Sequence, residues 1–378
     1  MRIINILGLV IVIAINMITP ILISKNVERF FRETDLVEET LAKIKKQQNF
    51  QNLIIIISIF LFAFFFSNFF SKNEFTRFIM MLSPFIFIII ILVYSSIIYH
   101  PIYVKVRGIE TTIKEEVKDT FRAAIVLLLP SFVIVLVKVE FINKVLINQF
   151  VNIFISVFII IGINLIYPYV FYFSLRAEAI KFPNLNDIVL EFLEQHNIKK
   201  VKVYQWPAVK GKMANALVGG LIIKKIFISD YLIENMEVDE LKAILAHEIG
   251  HIKKYHLWIK VTLLILAYPI FTFIGYMMDS VELYFSIKIP IPIGITFFVG
   301  CLSIYFSIIY MFFSRYQEYK ADEYALKSGI EAEILISAFT KLAKLNNSLL
   351  KVDEKEERIQ THPSFNNRIE RLRKLSLK

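Results

Sequence analysis

The chain has 378 residues, a formal net charge of +10 and one cysteine. Hydrophobic residues make up 56% of it and the mean hydropathy is +0.60, too apolar for an ordinary soluble enzyme. A single cysteine, Cys301, excludes an intrachain disulfide framework, and no basic stripe interleaves with exposed aromatics, so no nucleic-acid partner is expected.

Seven apolar runs, near 4–24, 52–71, 77–99, 123–139, 150–175, 258–278 and 289–313, are each about long enough to cross a bilayer. The fourth is the shortest and carries Pro130, which a membrane helix tolerates when neighbours satisfy the freed carbonyl. Cys301 falls in the seventh run and is read as a packing residue. Lys and Arg number six in 25–51, five in 101–122 and more than ten in 176–257, against one or two each in 72–77, 138–149 and 279–288. The basic loops should face the cytoplasm, which puts the N-terminus outside and the C-terminus inside. The first run is read as a span rather than a cleaved signal peptide, because no clear small-x-small site follows it. Four stretches result: 1–175 with five spans and basic loops at 25–51 and 101–122, a polar segment 176–257, two spans in 258–313, and a polar tail 314–378. The lipid bilayer is the first expected partner.

The polar segment reads as a helix over 184–196, a strand over 201–205, and a hairpin whose strands 216–218 and 222–228 flank Gly219-Gly220. Ser229 and Asp230 are helix-starting caps, and Asp239 opens a further helix. That helix carries His247-Glu248-Ile249-Gly250-His251. Histidines four apart share one helix face, about one turn from each other, and can give two neutral nitrogens to one Zn²⁺. Glu248, beside the first ligand, is placed to act on water rather than on the metal, the metallopeptidase arrangement. Leu241, Ile244, Leu245, Ala246, Ile249 and Ile252 make the helix largely buried, and buried histidines need partners. The edge of the strand carrying Asn215-Ala216 is a candidate for holding a substrate backbone by strand addition.

A zinc site that acts on water needs three protein ligands and one open position. Lys254 and Leu257 stand where a Gly and a third His would follow in a metzincin. His256, five residues beyond His251, is read as pointing to another face, at the surface or membrane interface. Glu318 and Asp322 are like charges four apart on a helix, unfavourable unless something draws them together. Glu318 as the third ligand, with Asp322 orienting a ligand histidine through its second ring nitrogen, explains the pair. Glu323 ranks below Glu318.

HEIGH, two further spans and Glu318-Tyr319-Lys320-Ala321-Asp322 together resemble the type I CAAX prenyl protease family of zinc-dependent integral-membrane endopeptidases. His362-Pro363-Ser364-Phe365-Asn366-Asn367-Arg368 matches that family's His-Pro segment with an Arg six residues on, and Asn215-Ala216 its substrate-strand Asn-Ala. The motifs cover about 200–378; over 1–175 the resemblance is architectural. It implies an all-α polytopic membrane protein of about seven transmembrane helices, with a cytoplasmic gluzincin-like zinc protease domain containing a small β-hairpin or sheet. It also implies one Zn²⁺ per chain held by His247, His251 and Glu318, with Glu248 as general base and His362 and Arg368 as catalytic donors, Pro363 fixing His362 from a helix's first turn. The substrate is a peptide or protein, prenylated or membrane-embedded. Two alternatives stay open: a quality-control protease of the HtpX type, which has fewer spans ahead of the zinc domain, and a non-catalytic scaffold with a structural zinc. A microbial chain would sit in the cell membrane, a eukaryotic one in the endoplasmic reticulum.

Overall fold

The computed structural model describes residues 2–67, 74–137, 149–182, 185–198 and 201–377. Among the described residues five helices come first: α1 (Arg2–Thr34), α2 (Val37–Ser67), α3 (Glu74–Arg107), α4 (Ile113–Val137) and α5 (Gln149–Ser174). Next are β1 (Glu178–Ala179), α6 (Leu185–Gln195), β2 (Lys202–Trp206), β3 (Ala216–Gly219), β4 (Lys225–Ser229), α7 (Asp230–Asn235) and the motif helix α8 (Val238–Lys253). The helices α9 (His256–Phe285), α10 (Ile291–Ile304), α11 (Met311–Lys327), α12 (Ala332–Leu345), α13 (Glu354–Arg358) and α14 (Phe365–Ser376) complete the chain. A π-helical stretch, Tyr305–Tyr310, joins α10 to α11.

Six helices among the described residues are long and apolar enough to span a bilayer: Ile3–Thr34, Val37–Ser67, Phe78–Arg107, Phe154–Ser174, His256–Phe285 and Thr296–Lys327. The fourth predicted run falls on α4, whose continuation at 138–139 lies outside the described residues. The protein is a multi-pass membrane protein. The basic stretch 25–51 is not an open loop, because α1 continues to Thr34 and α2 begins at Val37. No Gly or Pro interrupts that stretch, and Glu38 and Glu39 suit the positive end of α2.

The chain divides into two units. The first comprises Met1–Ile159 and Leu266–Ile304. Within it α1, α2 and α3 pack on one another, α4 on α3, and α10 on α2. Val12, Ile55, Phe87 and Ile91 form one apolar cluster and Ile23, Val27, Ile44, Tyr99, Ile102 and Val106 another. Asn16 Nδ2 donates to Ser58 Oγ at 2.7 Å and Gln51 Nε2 to Ser95 Oγ at 2.8 Å. Such interhelical bonds satisfy amides that lipid could not.

The second unit comprises Ile160–Ile265 and Tyr305–Lys378. Its sheet has the order β1-β2-β4-β3. β3 and β4 form the expected antiparallel hairpin, turned by Gly220 at φ +98°, where a Cβ would collide with the Ile223 carbonyl oxygen. β2 lies parallel to β4, a long-range pairing that local periodicity does not report. Ser229 caps α7 by accepting from the Leu232 N–H. The motif helix opens at Val238, one residue before Asp239, and Glu240 Oε2 accepts from the Glu237 N–H at 3.0 Å. The core joins Ile226 and Ile228 of the sheet to Leu232, Leu245 and Ile249, and to Leu335, Phe339 and Leu372 of α12 and α14. α8 is thus packed by β3, α11 and α12.

Candidate metal centre

The buried face of α8 carries His247, Glu248 and His251. The approach of α11 to that face depends on two small residues. A Cβ built on Gly250 would stand 2.9 Å from Ala321 Cα and 3.0 Å from its carbonyl oxygen, so the helices nearly touch backbone to backbone. That crossing brings Glu318 onto the histidines. Its Oε2 lies 3.4 Å from His247 Nε2, its Oε1 lies 3.5 Å from His251 Nε2, and the two Nε2 atoms are 3.1 Å apart.

The second nitrogen of His247 is also engaged. Nδ1 lies 2.8 Å from Asp322 Oδ1. Arg368, on α14 and 5% exposed, donates from Nε to Asp322 Oδ2 at 2.9 Å and from Nη2 to Oδ1 at 2.6 Å. This is a bidentate pair. Its Nη2 is 3.2 Å from His247 Nδ1 and its Nη1 is 3.7 Å from Glu318 Oε2. The guanidinium also stacks on Phe339, 3.9 Å from the ring centroid. His362 reaches the site from the other side, with Nδ1 3.0 Å from Glu318 Oε2 and a side chain 62% exposed. Glu323 turns away to Lys320 and Arg371 at 2.9 and 2.6 Å.

Burial opposes charge on His247, as does Arg368, but the hydrogen bond to Asp322 and the nearby Glu318 carboxylate outweigh both and push its pKa up to about 9. Burial, followed by the nearby His247, holds His251 well below the usual histidine range. Burial raises the Glu248 carboxyl. The shifts thus favour proton binding at His247 and Glu248 and a neutral His251. Two imidazole nitrogens face each other in the centre, and Glu318 Oε2, buried, lacks a well-directed hydrogen bond. A nitrogen–nitrogen–carboxylate set of this kind fits a borderline-soft divalent ion such as zinc. Donor atoms of His247, Glu248 and His251 lie within 4.8 Å of one another, so Glu248 borders the same space.

Asn215 is exposed just before β3, and Ala216 opens that strand at the sheet edge, beside α8. The Asn346 side chain exchanges two hydrogen bonds with the main chain of Ala214, at 3.1 and 2.7 Å, ending the open edge there.

Two sequence expectations need correction. His256 is neither at the surface nor on another face. It is 3% exposed and its Nδ1 lies 2.7 Å from His251 Nδ1. The expectation assumed an unbroken helix, but α8 stops at Lys253 and Tyr255 adopts φ +56°, which swings His256 back. Pro363 precedes the N-cap Ser364 of α14 rather than lying in the first turn. Sequence reasoning also missed three supports. The Gly250–Ala321 contact was visible only as two small residues inside the motifs. Asn346 gave no signal. Arg315, whose Nη1 donates to the carbonyls of Glu357, Arg358 and Gln360 at 3.3, 2.6 and 3.0 Å, looked like an ordinary basic residue.

The sequence profile of peptidase family M48 matches residues 179–376. A protease HtpX homolog of Neisseria meningitidis serogroup B is 28% identical over 233 residues, covering 53% of this chain and 78% of that protein. One from Helicobacter acinonychis is 26% identical over 229 residues, covering 53% and 70%. In fold, the chain is similar to the crystal structure of S. mikatae Ste24p, with a TM-score of 0.61, 20% identity, and coverage of 93% of this chain and 88% of that one.

Proposed function

The chain belongs to peptidase family M48 and is a membrane metalloendopeptidase; on that footing we propose that His247, His251 and Glu318 hold one catalytic Zn²⁺ and that Glu248 is the general base. The observation that carries this reading is the convergence of two Nε2 atoms and the Glu318 carboxylate, all within 3.5 Å contacts, beside a buried carboxyl that none of them requires as a ligand. A structural zinc site would have no use for Glu248 and would close its fourth position.

Bound zinc would supply Lewis acidity, polarising the scissile carbonyl and acidifying water enough for deprotonation near neutral pH. The raised affinity of Glu248 for protons suits it to take the proton from the attacking water and deliver it to the departing amine. Asp322 accepts from His247 Nδ1, which fixes that imidazole with its Nε2 lone pair toward the metal position. Arg368 has two donors committed to Asp322 and acts mainly by holding it. His362, in contact with Glu318 through Nδ1 and exposed on its other side, is the side chain placed to meet an oxyanion. The β3 edge beyond Asn215 binds an extended substrate segment through main-chain hydrogen bonds.

By the positive-inside rule the catalytic segments face the cytoplasm and the N-terminus faces outward. The substrates are extended segments of membrane-delivered proteins, prenylated or membrane-embedded. Strand addition reads the backbone, so cleavage should tolerate side-chain changes. Glu248→Gln in detergent-purified protein should retain zinc and lose hydrolysis of an internally quenched peptide by at least ~10²-fold; near-wild-type turnover would remove Glu248 as base. Comparing a farnesylated CAAX peptide, its unprenylated form and an unfolded membrane protein assigns the substrate class. Preference for the first points to lipid recognition, and equal rates rule it out.

A further inference from the structure

His256 has no part in the chemistry described above, yet it is buried against that chemistry. The break between α8 and α9 creates its position. Tyr255 at φ +56° is a β-carbon residue in the left-handed region, an unfavourable conformation that the surrounding structure must impose. Its consequence is that His256 stacks edge-on to His251, with ring centroids 4.8 Å apart and an interplanar angle of 74°. The backbone is fixed as well. The His256 carbonyl accepts from Gln317 Nε2 at 3.2 Å, and Gln317 is buried immediately before Glu318. One residue thus touches both helices that supply the metal-facing atoms.

The direction of the hydrogen bond follows from elimination. His251 Nε2 faces His247 Nε2 and Glu318, so it is the nitrogen that must present a lone pair to a cation. A neutral imidazole with a bare Nε2 carries its proton on Nδ1. His251 Nδ1 therefore donates across the 2.7 Å contact, and His256 Nδ1 accepts. His256 is then neutral, with its own proton on Nε2. The two metal-facing histidines are held differently: His247 by the Asp322 carboxylate and His251 by a neutral imidazole.

We propose that His256 is a positioning residue that fixes the tautomer and ring orientation of His251 for metal binding. The inference rests on the zinc reading above. Outer partners of this kind typically change metal affinity 10–100-fold when removed. A neutral acceptor also keeps negative charge from accumulating around the metal, where Glu318, Asp322 and Glu248 already supply carboxylates.

The test is zinc affinity of the full-length, detergent-purified chain, measured by competition with a chromophoric chelator, for wild type, His256→Phe and His256→Asn. Phe approximates the ring volume without an acceptor, and Asn restores an acceptor with less volume. The expected result is a drop of at least tenfold for His256→Phe and an affinity within threefold of wild type for His256→Asn. Cobalt substitution gives a second readout, a shifted visible spectrum for the Phe variant alone. Wild-type affinity in His256→Phe overturns the proposal. So do equal losses in both variants, because they assign His256 to packing. If the wild type fails to bind about one zinc per chain, the metal reading falls first, which separates the two failures.

Discussion

Gly250→Ala tests whether the metal centre depends on the α8–α11 crossing. In an exposed helix this change is stabilising, because alanine is favoured over glycine by about 1 kcal/mol. Here the added methyl would stand 2.9 Å from Ala321 Cα, 3.0 Å from Ala321 O and 3.2 Å from Tyr324 Cβ, inside the ~3.5–4.0 Å optimum for carbon–carbon contact. Two of those neighbours are backbone atoms, so a side-chain rotation cannot relieve the clash. Overpacking of this sort costs about 1–3 kcal/mol, which offsets or exceeds the propensity gain. Global stability should therefore change little or fall, with the melting temperature shifting by no more than a few degrees. The metal centre should respond more strongly. Opening the crossing by ~0.5 Å moves Glu318 away from two imidazoles, while metal–ligand distances tolerate only about ±0.2 Å. We expect zinc affinity to fall at least tenfold in chelator competition, with peptidase activity following it. A Gly250→Ala protein with wild-type zinc affinity and a raised melting temperature would refute the close-approach argument.

Two further predictions concern the supports of the site. Glu240 is buried, which raises its pKa, but hydrogen bonds from Ser337, the Glu237 N–H and Lys341 lower it more, leaving it below the usual carboxylate range. A lowered folded-state pKa contributes stability that is present above the unfolded value of about 4.3 and lost as pH falls through the folded value. Glu240→Gln should thus cost roughly 1–2 kcal/mol at neutral pH, and the melting-temperature gap to wild type should close as the pH drops below about 4; a gap independent of pH would remove the charge from the explanation. Arg315→Met frees the carbonyls of Glu357, Arg358 and Gln360 and so loosens the segment leading to His362. It should lower kcat by about tenfold while leaving zinc stoichiometry unchanged, and loss of metal would show instead that Arg315 supports the ligands.

Much of the site was legible because its residues are chemically unusual where they stand. Two histidines and a glutamate on an apolar helix face, and two carboxylates four apart, each ask for a partner. The structure supplies the partners as His247–Asp322 and His251–Glu318. The membrane helices were legible from run length, and the β3–β4 hairpin from its Gly pair. What stayed hidden depends on geometry that no short window encodes. The parallel β2–β4 pairing bridges distant segments, and the left-handed Tyr255 breaks a helix that periodicity would continue. Gly250 and Ala321 matter only because two backbones meet there, and Arg315 only because three carbonyls end near it.

The central claim is that α8 and α11 together build one metal-binding peptidase site. Zinc content per chain, determined by elemental analysis for wild type, Glu248→Gln and Glu318→Ala purified in parallel, tests it most directly. The account predicts about one zinc for the first two proteins and a large loss for Glu318→Ala. Full occupancy in Glu318→Ala, or none in the wild type, would contradict it.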